Sequence, residues 1–493
     1  MSPSTAIACA LLLPLVGAVL VAVCRHRPNL RETITLVTGV ALLAVVCSLL
    51  APVQAGERPE LDLVELLPGS PRSISLGFKV EPLGMLFAIV ASSLWIVTSV
   101  YSIGYMRSHG EKNQGRFFVC FAIAIFAVIG VAFARNLLTL FVFYELLTLS
   151  TWPLVTHHGS DAARRAGRVY LGILLSTSVV GLLLAILWTW QLAGTLEFTP
   201  GGILAGHVTR TTAPLLLALF AFGTGKAALM PLHRWLPAAM VAPTPVSALL
   251  HAVAVVKAGV FTILKVGVFV FGTDVLTQTG ASTWLMYVAA TTIVCASLVA
   301  LTRDNLKERL AYSTISQLAY IVLGMALANG WGVIGGGLHL AMHAVGKITL
   351  FFCAGAIYVA THKTNISDMR GIGRTMPVTL FAFLLGSLSV IGLPPFGGSW
   401  SKWFLALGAV EADRLIFVAV LMISSLLNIA YLMPIVVRGF FLAPPDDPVL
   451  SQRSEAPLLC VVPLCVTAVG GLGLFFFADA IYHLLEPLVS SGG

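Results

Sequence analysis

Apolar stretches of about twenty residues recur along this chain, and short polar segments separate them. An α-helix rises about 1.5 Å per residue, so such a stretch crosses a hydrocarbon core roughly 30 Å thick. Lipid offers no partner to exposed backbone groups, which makes helices the expected form of these spans. The pattern predicts an all-α, polytopic membrane protein with about fourteen spans. We place them at 5–24, 33–51, 83–104, 117–134, 137–155, 168–193, 212–235, 243–272, 283–301, 308–328, 331–361, 376–411, 415–440 and 457–484.

Two of the predicted spans are interrupted by proline and glycine. Lys226 is followed by MPLHRW with Pro231, and Lys402 is preceded by GLPPFGG at 392–398. Proline removes a backbone donor, so neither stretch can stay helical throughout. The breaks fall in the seventh and twelfth spans, and an odd offset of five predicts two inverted five-helix repeats, spans 4–8 and 9–13. The expected segments are an N-terminal three-helix segment 1–110, a first repeat 111–275, a second repeat 280–442 and a C-terminal helix 455–493.

Composition agrees with a membrane protein and excludes several functions. Hydrophobic residues make up 58% of the 493 residues and charged residues 10%, against about 25% charged in soluble domains. The mean hydropathy is +0.95. The net charge of +8 comes without a basic run interleaved with aromatic residues, so no nucleic-acid partner is expected. The eight cysteines form no CxxC pair, so we predict no disulfide, no metal site and no cofactor.

Basic residues in the predicted loops indicate the orientation. Loops after the first and every second span hold eighteen lysines and arginines, whereas the alternate loops hold six. The positive-inside rule places the richer loops in the cytoplasm, so both termini are expected outside a multi-pass protein of the cell's inner (plasma) membrane. The six are Arg58, Arg72, Lys79, Arg135, Arg210 and Arg414.

Glu145, in FYELLTLSTWP, is the one carboxylate predicted at mid-membrane depth. It lies eight residues into its span, roughly 12 Å deep. A lone charge there costs about 2.5–3.5 kcal/mol, so we expect a partner, and Lys226 is the natural counter-ion. One alternative is an ion pair that merely joins two helices. The five lysines within spans are Lys226, Lys257, Lys265, Lys347 and Lys402.

Titratable residues recur at helical spacing in the eighth and eleventh spans. Lys257 follows His251 by six residues, and His339, His343 and Lys347 are spaced by four, which puts these three on one helix face. A single buried histidine is more often a satisfied core residue, but the aligned set favours a proton relay. Burial disfavours the charged form of a lysine and a nearby carboxylate favours it, so a movement of the carboxylate can release or capture a proton. Histidine suits such a relay because its unperturbed pKa is about 6.5.

Lys265 is the weakest member of the set. It lies eight residues beyond Lys257 and closer to the end of the eighth span. A lysine in that position can extend its amine to the membrane interface, and we consider this at least as good an interpretation as a relay role.

Five motifs in order resemble one known family: FYELLTL, GTGKAALMPLHRWLPAAMVAPTPVSALLHAVAVVKAG, LKERLAYSTISQLAYIVLG, HLAMHAVGKITLFFCAGAIY and GLPPFGGSWSKW. They resemble the antiporter-like membrane subunits of respiratory complex I, membrane-bound hydrogenases and multisubunit Mrp antiporters, over about residues 75–440. The resemblance implies the fourteen-helix fold with inverted repeats. Some family members place a glutamate where Lys402 stands. The resemblance also implies the roles of eight residues: Glu145 and Lys226 as gate, Lys257 as hub beside His251, Lys402 as exit, and His339, His343 and Lys347 as relay.

Three functions follow as hypotheses. The length and ending of the chain are most similar to the D-type membrane protein of Mrp Na⁺/H⁺ antiporters, which implies the proton-translocating subunit of a multisubunit Na⁺ or K⁺/H⁺ antiporter. Its partners would be other membrane subunits, protons, Na⁺ or K⁺ and the lipid bilayer. Alternatively, the chain pumps protons in an NADH:quinone oxidoreductase or a membrane-bound hydrogenase, with any redox site in partner subunits because no dinucleotide fingerprint is present. A third hypothesis is a membrane scaffold whose charges hold helices together.

Overall fold

The structure is a computed structural model that describes residues 1–66, 74–444 and 453–490, so Arg72 lies outside the described residues. Among the described residues, eleven helical segments are long and apolar enough to cross a membrane. Predicted spans seven, ten and twelve correspond to further helices that begin at Thr212, Leu306 and Pro377. Together these helices account for the fourteen predicted spans, and the all-α polytopic fold is confirmed.

The first six spans are regular helices, with one π-helical turn in the sixth. Several helices of the chain begin after a polar residue whose side chain accepts a hydrogen bond from the backbone N–H three residues further along. These residues are Asn136, Ser160, Asn305 and Asn329. The helices are α1 (Pro3–Val23), α2 (Pro28–Ser48), α3 (Leu50–Gln54), α4 (Pro82–Ser108), α5 (Gln114–Ala132), α6 (Leu137–Val155), α7 (Asp161–Thr177), the π-turn Ser178–Leu182 and α8 (Leu183–Ala193).

The seventh and eighth spans are broken into short pieces. The predicted break at Lys226 is confirmed, because the helix before it ends at Gly223. Two π-helical turns in the eighth span were not predicted. The elements are α9 (Thr212–Gly223), the 3-10 turn Gly225–Ala227, α10 (Trp235–Ala238), the 3-10 turn Ala239–Val241, α11 (Thr244–Ala248), the π-turn Leu249–Val253, α12 (Val255–Val266), the π-turn Gly267–Phe271 and α13 (Thr273–Thr279).

The second half repeats the pattern of long helices with one broken span. The predicted break before Lys402 is confirmed, since α18 ends at Ile391 and the next helix starts at Gly398. The helices are α14 (Thr283–Thr302), α15 (Leu306–Ala326), α16 (Gly330–Thr361), the 3-10 turn Ile366–Asp368, α17 (Ile372–Thr375), α18 (Pro377–Ile391), α19 (Gly398–Glu411), α20 (Leu415–Phe441), α21 (Leu458–Phe476), α22 (Ala478–Leu485) and α23 (Pro487–Ser490).

The last predicted span, 457–484, is wrong in its C-terminal part. The chain leaves the apolar helix at Phe477 and starts the separate, short α22, in which Leu484 and Leu485 are buried and Asp479 is exposed. An amphipathic helix with a charged face is stable at the membrane surface, whereas a span needs a continuous apolar stretch. The division of the chain into two inverted repeats stays a prediction.

The core of the molecule is formed by the eighth and eleventh spans. In the segment Thr244–Phe271, every residue of the most apolar 18-residue stretch is buried, and in α16 94% of the corresponding stretch is buried. In most of the other apolar spans, half or more of this stretch is not buried. The two enclosed spans carry His251, Lys257 and the three titratable residues predicted on one face of α16. These side chains therefore face protein and not lipid.

One element was not predicted, a β-hairpin between the second and third spans. The strands β1 (Glu60–Glu65) and β2 (Ser75–Lys79) pair antiparallel. Arg135 holds them, with Nη1 2.6 Å from Asp62 Oδ1 and Nη2 2.9 Å from Glu197 Oε1. We call the two strands together with Arg135 and Glu197 the hairpin clasp, and the side of the protein that carries it the hairpin face. The clasp connects three separate loops at this face.

Candidate functional site

Lys226 lies in the break of the seventh span and reaches across to α6. Its amine is completely buried. Nζ donates to the carbonyl of Tyr144 at 2.8 Å and to Oγ1 of Thr148 at 2.6 Å, and it lies 3.1 Å from the centroid of the Tyr144 ring. The break makes this possible, because an interior helix residue directs its side chain away from its own axis. The lysine is thus held by oxygen atoms of a neighbouring span.

Glu145 lies on the same helix, next to these acceptors. Both carboxylate oxygens are buried, and they accept no hydrogen bond within the described parts of the chain. Although the carboxylate acts electrostatically on Lys226, no ion pair within 4.0 Å joins the two among the described residues. The direct pair expected from the sequence is therefore absent, because Lys226 bonds to Tyr144 and Thr148 on that helix instead. The role of Glu145 as a switch stays a prediction.

Lys257 lies at the centre of the enclosed core and contacts the eleventh span directly. Its Nζ is 2.8 Å from Nδ1 of His343, and both side chains are buried. With a protonated lysine, the ammonium donates and the imidazole nitrogen accepts. The family resemblance places Lys257 beside His251, but the hydrogen-bonding partner in the structure is His343. A proton can pass between these two groups without a bridging molecule.

The backbone brings Lys226 and Lys257 close together. Gly259, two residues after Lys257, packs on the 3-10 turn so tightly that a Cβ would lie 2.3 Å from Ala227 N and 2.4 Å from the carbonyl carbon of Lys226. Any side chain at this position would separate the two segments. The glycine therefore keeps the broken seventh span against the helix that carries the central lysine.

His343 continues to His339 along one face of α16, as predicted. The two imidazole rings are 5.6 Å apart and nearly parallel. His339 Nδ1 is 2.9 Å from Oγ of Ser401, which immediately precedes Lys402. The ring of Tyr320 stacks on His339 at 5.2 Å, and the amine of Lys402 lies 5.2 Å from that same ring. The set thus extends from the core to the second break.

Lys402 sits in the first turn after that break. Its Nζ donates to the carbonyl of Ile391 at 2.6 Å and to Oγ of Ser425 at 2.9 Å. Ile391 is the last residue of α18, so the amine caps a carbonyl that has no partner within its own helix. Its side chain is only partly buried, unlike those of the other predicted lysines.

The predicted residues Lys226, Lys257, His343, His339 and Lys402 are together called the line. Lys347 and His251 form no hydrogen bond to these residues in the described chain. Lys347 Nζ lies 2.5 Å from Oγ of Ser313 on α15, and Tyr431 donates to the same hydroxyl at 2.8 Å. His251 lies in a π-turn with its ring 4.6 Å from Phe351. Neither of its ring nitrogens has a hydrogen-bond partner in the described chain. Both residues therefore lie beside the line and not within it.

Several polar contacts of the line were missed in the sequence. The hydroxyls and rings that connect or hold the lysines carry no charge, so they did not stand out in apolar spans. A signal existed in YSTISQLAY, where Ser313, Gln317 and Tyr320 are spaced by four and three and share one face of α15. The missed residues are Tyr144, Thr148, Ser313, Tyr320, Ser401 and Ser425.

Lys265 is enclosed by protein, and its extension to the membrane interface stays a prediction. Its side chain is 1% exposed, and Nζ lies 2.6 Å from Oε1 of Glu81, whose side chain is 7% exposed. It also donates to the carbonyl of Ala134 at 2.8 Å. Glu81 precedes the first residue of α4 and was not recognised as buried. Sequence alone made it appear to be a loop residue.

The arrangement is suited to holding and transferring protons. Lysine, histidine, tyrosine and serine side chains follow one another within the membrane core, and neighbouring groups can exchange donor and acceptor roles. Among the described residues, no three His, Cys, Asp or Glu side chains are grouped as a metal site.

Comparison with known families gives a clear result. The transmembrane family "NADH:quinone oxidoreductase/Mrp antiporter, TM" matches residues 134–428. The chain belongs to this family. A second family, "NADH-Ubiquinone oxidoreductase (complex I), chain 5 N-terminus", matches residues 68–118. Membership confirms the resemblance seen in the five motifs.

Relatives of known sequence include subunits of different membrane complexes. NADH-quinone oxidoreductase subunit N of Desulforudis audaxviator is 31% identical over 427 residues, 84% of each chain. Hydrogenase-4 component B of Escherichia coli is 30% identical over 447 residues, 84% of this chain and 65% of the relative. NAD(P)H-quinone oxidoreductase chain 5 of Synechocystis is 30% identical over 387 residues, 73% of this chain and 54% of the relative. The chain thus spans just over half to two thirds of these two longer relatives.

Two solved structures have the same fold. A chain of the Mrp complex from Dietzia sp. DQ12-45-1b matches with a TM-score of 0.85 and 23% identity, covering 99% of this chain and 97% of the other. A chain of the membrane-bound sulfane sulfur reductase, an archaeal respiratory complex, matches with the same values. The chain is therefore an antiporter-like subunit, and its relatives work within multisubunit membrane complexes.

Proposed function

We propose that this chain is the proton-translocating subunit of a multisubunit Na⁺ or K⁺/H⁺ antiporter. Lys226 receives a proton under the control of Glu145, Lys257 and His343 carry it across the core, and Lys402 releases it. Na⁺ or K⁺ is exchanged by the assembled complex. The other partners are the neighbouring membrane subunits.

One observation carries this proposal, the buried line between the two broken spans. The hydrogen bond from Lys257 to His343 joins the eighth span to the eleventh in the most enclosed part of the protein. Ionisable groups inside a membrane protein are costly and mark ion or proton pathways. Within the described part of the chain, Lys226, Lys257 and Lys402 each bond to neutral groups and not to a carboxylate.

Transport measured in inside-out membrane vesicles that carry the whole complex tests the proposal. An imposed pH gradient quenches a dye, and added Na⁺ or K⁺ releases the quenching if antiport occurs. We expect Glu145→Ala and Lys226→Ala to lose this response with the complex still assembled. The matched controls Glu411→Ala and Lys112→Ala replace exposed residues and should respond as wild type. Full activity of either gate variant would overturn the gate assignment, and loss of assembly in both would favour the scaffold hypothesis.

A second function has support from the relatives. The relative that covers 84% of both chains is named as a subunit of NADH-quinone oxidoreductase, so the same line could pump protons in a redox complex. Purification of the complex from its native membrane separates the two. Small antiporter subunits support the first function, whereas co-purifying Fe–S or flavin subunits, with proton uptake driven by electron donors, support the second.

The proposed orientation has both termini outside the plasma membrane. It is supported by the excess of basic residues in alternate loops. A reporter enzyme that is active only outside the cytoplasm, fused after the C-terminal residue, should be active. An inactive fusion with normal expression would reverse the orientation.

A further inference from the structure

A second buried carboxylate–lysine pair lies apart from the line described above. Glu81 and Lys265 form a direct ion pair at 2.6 Å, and both side chains are almost completely enclosed. The amine also lies 4.3 Å from the ring centroid of Phe198. Taking two charges out of water is costly, and their mutual attraction often does not return that cost, so a buried pair is weak evidence for a purely stabilising role. Glu145 and Lys226, in contrast, form no such contact.

Lys265 lies in register with the central lysine. Lys257, Phe261 and Lys265 are spaced by four on α12, so they share one face, and the two lysine positions are about two turns apart, a rise of roughly 12 Å along the axis. The ring of Phe261 occupies the position between them. It lies 5.6 Å from Nζ of Lys265 and 4.9 Å from the ring of Phe87. In the order of this helix face, an apolar residue thus stands between the central lysine and the second pair.

On its other side the pair borders a cavity at the hairpin face. The cavity has a volume of about 450 Å³, and its lining includes Glu81, Arg58, Lys79 and Phe198. The side chain of Lys79 is 31% exposed, so the cavity reaches solvent. Arg58 and Lys79 are the charges that act on Glu81 besides Lys265, and Lys79 is itself paired with Glu60 at 2.6 Å. A buried acid is therefore adjacent to a positively charged mouth.

We infer that Glu81 and Lys265 form a second gate, which connects the Lys257 hub to water at the hairpin face with Phe261 as the barrier. This inference rests on the proposed proton-translocating function. The route leaves the line at its centre, whereas the route through Lys402 leaves it at the second broken span.

The proton balance of the gate is simple. The ammonium of Lys265 transfers one proton to the carboxylate of Glu81, which leaves a neutral amine and a carboxylic acid. The acid releases this proton to water in the cavity. When the Phe261 ring moves aside, Lys257 returns one proton to the amine, and the pair is restored.

Charge-removing variants in the whole complex give the first test. In the vesicle assay we expect Glu81→Gln and Lys265→Met to lose part of the cation-driven response with normal assembly, because the route through Lys402 stays open. The controls Lys112→Met and Glu411→Gln replace exposed residues outside this cavity and should leave the response nearly unchanged. A wild-type response of Glu81→Gln would overturn the gate.

A swapped pair separates gating from structural pairing. Glu81→Lys combined with Lys265→Glu keeps an ion pair between α4 and α12, so a structural role predicts normal assembly and normal transport. A gate depends on the acid facing the cavity and the amine facing the hub. We therefore expect the swapped complex to assemble but to transport poorly, and recovery of wild-type transport would contradict the gate.

Replacement of Phe261 tests the barrier while Glu81 and Lys265 stay unchanged. Phe261→Ala should let vesicles lose an imposed pH gradient faster than wild type in the absence of Na⁺ or K⁺. Phe87→Ala changes the other ring of this contact, and its vesicles should lose the gradient more slowly than those of Phe261→Ala. Unchanged leakage of Phe261→Ala would contradict the barrier. If Glu145→Ala and Lys226→Ala transport normally, the proposed function itself fails. If those variants are inactive and Glu81→Gln is active, only the second gate fails.

Discussion

The two broken spans hold their lysines in similar surroundings but by different means. Lys226 and Lys402 each donate to one backbone carbonyl and one hydroxyl, and each lies near a tyrosine ring. At the first break the acceptors belong to another helix, and a buried acid, Glu145, accompanies them. At the second break the carbonyl belongs to Ile391, the end of the same broken span.

We therefore expect the protonation of Lys226 to be controlled by the charge of a neighbouring group and that of Lys402 by the position of a helix end. The carboxylate of Glu145 is buried on the helix that supplies the acceptors of Lys226, and a nearby carboxylate favours the charged form of a lysine. Lys402 is stabilised by the negative end of the α18 dipole, an interaction that fades within one helical turn. A shift of the second break would therefore change the proton affinity of Lys402 without any change in charge.

Exchange of each lysine for glutamate should give the largest contrast. Lys226→Glu puts two carboxylates together in a buried place, so one must stay protonated, and we expect transport at the vesicle background. Lys402→Glu meets no acid and can donate to Ile391 when protonated, so its rate should stay within about tenfold of wild type. Antiport rates, normalised to the amount of assembled complex, measure both.

Equal loss in the two variants would remove the distinction between the sites. Lys112→Glu serves as the control at an exposed position. The double variant Lys226→Glu with Glu145→Gln removes the repulsion between the acids, so it should transport better than Lys226→Glu alone.

Two glycines test how firmly each break is positioned. Gly259→Ala would push a Cβ into backbone atoms of the first break at 2.3–2.4 Å, so we expect loss of transport and a lower melting temperature of the complex. Gly392→Ala would meet the flexible side chain of Lys402 at 2.7 Å, at φ +86°. The left-handed conformation costs roughly 1–2 kcal/mol, so a partial loss is expected.

The control is Gly172→Ala, where an added Cβ has no neighbour within 4 Å. A stronger effect of Gly392→Ala than of Gly259→Ala would show that the second break, and not the first, is the rigid one.

The hydroxyl acceptors should give the smallest effects. Hydrogen bonds to charged groups contribute about 1.5–3 kcal/mol, so Thr148→Val, at a buried amine, should lower transport about tenfold. Ser425→Ala should lower it only about threefold, because the partly buried Lys402 depends less on a single acceptor than the completely buried Lys226. Initial antiport rates at several pH values measure both, and equal effects would mean that exposure does not distinguish the two amines.

The spans and both breaks were predictable from the sequence because they rest on local signals. Long apolar stretches predict membrane helices, and GLPPFGG cannot remain helical. The three aligned residues of α16 were found for the same reason, since spacing by four defines one helix face. The positions of the π-turns, including the one with His251, have no comparable signal.

Partner choice in the site was not predictable, because it depends on packing between distant segments. Lys226 and Glu145 have opposite charges, yet the amine reaches the carbonyl of Tyr144 instead. Glu81 resembles a solvated loop residue in the sequence, and only the fold buries it against Lys265. The strand ELDLVE alternates polar and apolar residues only as far as Leu63, and its acidic composition is unusual for a strand.

During synthesis, the strands of the hairpin clasp leave the ribosome before the residues that hold them. Arg135 follows Asp62 by 73 residues in the chain, and Glu197 comes only after the sixth span. Asp62 stays hydrated until Arg135, its ion-pair partner, has been made, whereas Glu60 can already pair with Lys79. The clasp can close only after six spans have been inserted, which ties the order of membrane insertion to the folding of the hairpin face.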